Sequence, residues 1–193
     1  MKILAINGSP RKDGNTAKLL KEITKDHVDV DLDYFDLNDL KIKDCQSCYF
    51  CKKNDACAVK DDMQKLYKKL READAIVLGS PVYFGSMTSQ CKAFLERCIA
   101  LRSPEFVLSN KVGGVVAVGG ARNGGQELTI QGIQAALMCH EMLIVGDGKP
   151  SAHRGATVWN QKDDISQDDF GLGTLRNLGR RVGEVALQMT AGK

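Results

Sequence analysis

Four cysteines, Cys45, Cys48, Cys51 and Cys57, stand in the spacing C-x2-C-x2-C-x5-C. Thiolates at x2 steps wrap one corner region of an iron–sulfur cubane, and a short loop returns the fourth ligand, so the pattern points first to one [4Fe–4S] cluster. Four-cysteine zinc sites also use C-x2-C steps, although usually as two separated knuckles. Uncoordinated, redox-switching thiols are a third reading. The chain has seven cysteines, and the other three are scattered. Cys91 and Cys98 share the apolar face of one helix and should be buried; Cys139 ends another apolar helix face. His27, His140 and His153 have no ligand spacing with one another or with the cysteines. Lys41, Lys43, Lys52, Lys53 and Lys60 flank the cluster, where they would offset its charge, dock an acidic partner, or simply form a solvated loop surface.

A second chemistry lies at the start of the chain. Gly8-Ser9-Pro10-Arg11-Lys12-Asp13-Gly14-Asn15-Thr16 joins a strand-like run to a helix-like one. A helix N-terminus offers free N–H groups and the positive end of its dipole to an anion. Ser9, Asn15 and Thr16 add donors, Arg11 adds charge, and Gly14 lets the chain turn closely, which suits one phosphomonoester; a plain capped turn is the alternative. No Gly-Lys-Ser/Thr ends the loop, so it is not a Walker A site. Two further loops follow strands: Ser80-Pro81-Val82-Tyr83-Phe84-Gly85-Ser86, whose amides and aromatics suit the polar edge and body of a ligand, and Gly119–Gln126, whose glycines suit close approach to a planar one. Open α/β sheets bind ligands at such carboxyl ends.

The elements that position these loops alternate along the chain. Strands are expected at Lys2–Asn7, through Val28, Val30, Leu32 and Tyr34, at Ala75–Gly79, Val112–Val118 and Met142–Val145. Helices are expected from an Asn15 or Thr16 cap to about Lys25, after an Asp61 or Asp62 cap, over Ser86–Leu101, from Glu127 to Cys139 and from Phe170 to Met189. Residues 36–61 form a long irregular connection carrying the cysteines, and 147–167 a polar loop in which Trp159 would pack at a subunit interface. Five strands alternating with helices imply a doubly wound parallel α/β sheet with right-handed crossovers, of flavodoxin-like order 2-1-3-4-5. The first turn lacks the Gly-x-Gly-x-x-Gly of a Rossmann domain. A chain of 193 residues with 43% hydrophobic residues suits one domain over 1–193.

A formal net charge of +3 without a long Lys/Arg stripe argues against nucleic acid. No apolar run approaches a bilayer span, and Met1 opens directly into a strand pattern, so a cytoplasmic protein away from membranes is expected. In a reducing compartment clustered cysteines mean metal or redox chemistry more often than disulfides. No paired carboxylates or Ser-His-Asp order suggests hydrolysis.

Asn7-Gly8-Ser9-Pro10-Arg11 with Gly14-Asn15-Thr16 and Gly79-Ser80-Pro81-Val82-Tyr83 resembles the NADPH-dependent FMN reductase superfamily, and the cysteine cluster narrows the likeness to its iron–sulfur flavoproteins. The resemblance covers nearly the whole chain. It implies FMN held by the three loops, through Ser9, Pro10, Arg11, Gly14, Asn15 and Thr16, then Pro81, Val82, Tyr83, Phe84 and Gly85, then Gly119, Gly120 and Asn123. It also implies a homodimeric core, often doubled to a homotetramer, and it supports all four cysteines on one cluster. The expected activity is electron transfer from a ferredoxin-like donor through the cluster and FMN to a small-molecule acceptor. An NAD(P)H-dependent FMN or quinone reductase with peripheral cysteines is one alternative, and a zinc- or thiol-based redox sensor another. The cluster follows strand 2, at the sheet edge, while the flavin ring belongs near strands 3 and 4. Two or three strand steps give roughly 10–14 Å, so the cluster of one subunit is expected to face the FMN of another.

Overall fold

The computed structural model describes residues 1–25, 30–103 and 105–191. Its centre is a parallel sheet built on β1 (Lys2–Asn7), an apolar run buried from Ile3 onward because both faces are covered. On one side β1 pairs with β2 (Asp31–Asp36), and on the other with β3 (Ala75–Pro81). Next come β4 (Val112–Gly119) and β5 (Leu143–Ile144), giving the order β2-β1-β3-β4-β5. The flavodoxin-like expectation therefore holds.

Strand 2 is shifted from its expected place. It runs Asp31–Asp36, in register from Lys2↔Asp31 to Asn7↔Asp36, because six residues of β1 need six partners along that edge. Val28 and His27 lie outside the described residues. The fifth strand position is divided between two segments. β5 pairs only with Val112 and Gly113, while a sixth strand, β6 (Ala156–Trp159), pairs with Val116–Gly119. β6 falls inside the stretch expected to be loop. β4 is buried along all eight residues, so the backbone groups of its second half need a partner strand, and Ala156 and Val158 point inward to supply one. Buried Asp147 accepts hydrogen bonds from Ser151 Oγ and from His153 N (2.5 Å), closing the excursion between the two segments.

Helices cover both faces. α1 (Asn15–Glu22) and α6 (Asp169–Thr190) pack over Ile3, Ala5, Val77 and Val116. On the other face α2 (Met63–Glu72), α3 (Ser89–Arg97), the short α4 (Ile99–Arg102) and α5 (Gln126–Met138) cover Leu4, Ile6, Leu78 and Val115. α1 sits close to β3: a Cβ on Gly79 would lie 2.7 Å from Leu20 Cδ1 and 2.9 Å from Thr16 Cγ2, so the approach needs glycine. α1 ends at Glu22 rather than near Lys25 and is preceded by Gly14 as its cap, leaving Asn15 and Thr16 inside the helix. The helix expected over Ser86–Leu101 begins at Ser89 and breaks at Cys98, because Thr88 is its cap: its hydroxyl accepts from Cys91 N (3.2 Å) and donates to Gly8 O (2.5 Å). Cys91 and Cys98 are buried as expected, and burial pushes the Cys91 thiol up to about 12.

His140 is 5% exposed and its Nδ1 has no partner among the described residues. Burial, aided by the Arg102 charge, pulls its pKa down to about 4. An unfolded histidine titrates near 6.5. The unfolded chain therefore binds the extra proton first, and stability present above about pH 6.5 is lost as the pH falls towards 4. Wild type is expected to lose about 2 kcal/mol between pH 7 and pH 5 relative to His140→Leu, measured by denaturant unfolding. Parallel pH profiles for the two proteins would refute this.

Candidate functional site

Two concave sites carry the candidate chemistry, one at the sheet's carboxyl edge and one in the cysteine loop beside the α3–α4 junction. The first is a crevice of about 200 Å³ formed by the ends of β1, β3 and β4. Nine of the expected ligand residues line it: Ser9, Arg11, Gly14, Asn15, Thr16, Pro81, Val82, Tyr83 and Gly120. The first turn of α1 has no side-chain cap, so its N–H groups remain available beside buried Ser9, Asn15 and Thr16. Ser9 Oγ accepts from Arg11 N at 3.1 Å, folding the loop around this corner. The donor set is that of a phosphate cradle. Above it Pro81, Val82, Tyr83 and Val118 form an apolar wall. Val82 N donates to Val118 O (2.8 Å), joining the second loop to β4.

The other five expected residues lie outside this crevice. Pro10 is exposed, and Phe84 and Gly85 form the left-handed tip (φ 50° and 82°) of a turn closed by Tyr83–Ser86 hydrogen bonds. Phe84 projects fully into solvent at that tip. Gly119 is buried as the last residue of β4. Asn123 lines a neighbouring cavity of about 370 Å³ with Arg122, His153, Trp159 and Phe170. Trp159 sits in β6 with the Arg122 guanidinium 5.3 Å from its ring centre.

Val118 and Asn160 join the crevice without having been expected there. Asn160 follows β6, and its Oδ1 accepts from Asn15 Nδ2 at 3.0 Å. Asp163 in the same loop takes a bidentate pair from Arg11, one arm at 2.7 Å, and its backbone O accepts from Asn15 Nδ2 at 3.1 Å. The loop after β6 thus crosses the cradle. The Arg11 hydrogen bond and charge hold the Asp163 carboxyl below its ordinary range.

The second site is the cysteine loop. Cys45, Cys48, Cys51 and Cys57 all line one cavity of about 60 Å³. Ser47 and Tyr49 have left-handed backbones (φ 50° and 58°), and a 3-10 turn at Phe50–Lys52 follows, so the chain coils around the cavity. All four thiols are free. Burial pushes the Cys51 thiol up, and the other three cysteines add to the shift. Among the described residues no three His, Cys, Asp or Glu side chains converge where a single ion could sit. The thiols surround a space rather than a point. Cys48 is exposed, as are the adjoining Tyr49 (60%) and Phe50 (42%) and the five flanking lysines.

The neck of this loop is clasped. Lys43 N donates to Asp61 Oδ2 (2.9 Å) and Lys41 N to Asp62 Oδ2 (2.8 Å), laying residues 41–43 beside 61–62. Beneath them Arg97, from α3, forms a buried ion pair with Asp61 at 2.7 Å, the side chains being 1% and 5% exposed. Burial works against the Asp61 charge, but hydrogen bonds from Arg97, Lys43 and Met63 outweigh it and hold the carboxyl low. Nothing local in the sequence marks this pair as part of the site.

The sequence profile described as NADPH-dependent FMN reductase matches residues 1–157. An iron–sulfur flavoprotein of Methanocaldococcus jannaschii is 45% identical over 188 residues, covering 96% of this chain and 97% of that protein. An iron–sulfur flavoprotein of Methanosarcina thermophila is 37% identical, covering 96% and 95%. A solved structure of RosB with bound 8-demethyl-8-formylriboflavin-5'-phosphate superposes with a TM-score of 0.76 at 18% identity, over 99% of this chain and 81% of that one, which shows a shared fold.

Proposed function

Because the chain belongs to the NADPH-dependent FMN reductase family, in its iron–sulfur flavoprotein branch, and is an FMN-dependent oxidoreductase, we propose that it transfers electrons from a ferredoxin-like donor through a [4Fe–4S] cluster and FMN to a small acceptor. The observation that carries this is the convergence of four free thiols on one cavity in the same chain as a phosphate cradle. When bound, FMN takes two electrons and releases them singly, and the cluster carries one at a time.

Both groups fit the residues present. The uncapped first turn of α1, with Ser9, Asn15, Thr16 and Arg11, would hold the FMN phosphate, and Pro81, Val82 and Tyr83 would flank its ring. Phosphate would compete with Asp163 for Arg11, so the loop after β6 would shift as the cofactor enters. Cys45, Cys48, Cys51 and Cys57 would ligate the cluster. A tetrahedral zinc ion needs all four sulfurs about 2.3 Å from one point, whereas a cubane spreads them over four irons. Three cysteines in tandem x2 steps, rather than two separated knuckles, favour the cubane. The exposed Tyr49 and Phe50, rimmed by Lys41, Lys43, Lys52, Lys53 and Lys60, suit docking of an acidic donor.

The cysteine loop, residues 36–61 of one domain, leaves edge strand β2 while the crevice spans β1, β3 and β4. We therefore extend the proposal to a homodimer or homotetramer in which the cluster of one subunit faces the FMN of another. Among the described residues no helix is long and apolar enough to cross a membrane.

Metal and flavin analysis of anaerobically purified protein tests this. About four irons and four sulfides per chain are expected, with FMN and without zinc. Yellow protein without iron would overturn the relay. The family's description favours a second reading, direct reduction by NADPH; rapid flavin bleaching by NADPH without the donor would establish it.

A further inference from the structure

A buried arginine normally uses all its donors, because a guanidinium N–H removed from water without an acceptor loses its hydration and gains nothing in return. Arg97 carries five N–H groups. Four are engaged: Nη1 donates to Lys43 O (2.8 Å) and Asp61 Oδ2 (2.7 Å), and Nη2 to Val59 O (3.2 Å) and Asp61 Oδ1 (3.1 Å). The fifth, on Nε, is buried and has no partner among the described residues. Arg97 is 1% exposed and lines the same cavity as the four cysteines. Its two bonded carbonyls, Lys43 and Val59, bracket the cysteine run on either side.

We propose that Arg97 tunes the cluster, its Nε–H donating a hydrogen bond to a cluster or cysteinyl sulfur. The inference rests on the cluster reading above. The Asp61 pair fixes the plane of the guanidinium, so the remaining donor has one direction, and the Lys43 and Val59 carbonyls hold the loop ends against that plane. Hydrogen bonds to sulfur are a principal lever on iron–sulfur potentials. Sulfur carries more negative charge in the reduced cluster, so a charged donor stabilises that state more and raises the potential. The buried Nε–H thereby gains the acceptor that the protein alone does not supply.

The test compares wild type with Arg97→Lys, which keeps the charge but removes the fork and the Nε–H. Iron and sulfide are assayed first. In an EPR-monitored titration with dithionite, Arg97→Lys is expected to shift the cluster to lower potential by about tenfold in its reduction equilibrium, about 59 mV for one electron. Reduced wild type grown on arginine labelled with 15N at Nε should also show an isotropic 15N hyperfine coupling to the cluster that Arg97→Lys lacks. An unshifted potential, or no isotropic 15N coupling in iron-loaded wild type, overturns the inference and leaves the cluster reading intact. Wild type without iron overturns both. If Arg97→Lys assembles no cluster, the labelled wild type decides alone, because a hydrogen bond to sulfur gives an isotropic 15N coupling whereas a merely structural arginine beside the cavity gives at most a through-space dipolar one.

Discussion

Cys51→Ala protein, purified anaerobically, is expected to retain its FMN and lose its iron. Even removal of an outer-shell partner costs a metal site about 10–100-fold in affinity; loss of a thiolate should exceed that and leave iron near background. Reduction of the flavin by the ferredoxin-like donor should fall by more than about 100-fold with it. The flavin should survive because its crevice is built separately, from the ends of β1, β3 and β4 and the first turn of α1. No cysteine of the cluster lines that crevice. Iron, sulfide and FMN assays on the same preparation check both halves. Full iron content in Cys51→Ala would remove this thiol from the ligand set, and joint loss of iron and FMN would show that the two sites are not independent.

Asp61→Ala is expected to destabilise the protein by about 3–5 kcal/mol, the usual consequence of stripping one partner from a buried ion pair. Three groups lose their acceptor together: the Arg97 fork, Lys43 N (2.9 Å) and Met63 N (3.1 Å). Arg97 would keep its charge at a site 1% exposed. For a chain of this size the melting temperature should drop by roughly 10 °C. The neck of the cysteine loop opens at the same time, so iron occupancy should fall too. Denaturant unfolding of Asp61→Ala, Arg97→Met and the double variant checks the argument. The double variant should be more stable than Asp61→Ala, because it leaves no uncompensated charge. A loss below about 1 kcal/mol in Asp61→Ala would mean that water reaches the pair and that the clasp is not what holds the loop.

The sheet was legible because its signals are local. Apolar runs of strand length, alternating with helical spacing, fix which segments pair, and parallel connections leave few topologies. The grouping of polar donors at the start of α1 was legible for the same reason: they belong to one turn, lie within eight residues of one another, Ser9 to Thr16, and line one crevice. So was the grouping of the four cysteines, which lie within thirteen residues and line one cavity.

What escaped depends on contacts between distant parts of the chain. Ala156-Thr157-Val158-Trp159 is too short to declare itself, and becomes a strand because the far half of β4 presents unpaired backbone to it. Asn160 reaches the cradle through Asn15, across 145 residues. The Arg97–Asp61 clasp joins residues 36 apart, on a helix and at the neck of a loop. Composition and spacing along the chain determined which chemistry this protein can hold, since a turn or a ligand run carries its geometry within itself. Tertiary packing alone decided which side chains close those sites, because a buried polar group takes whatever partner the neighbouring layer brings within hydrogen-bonding distance.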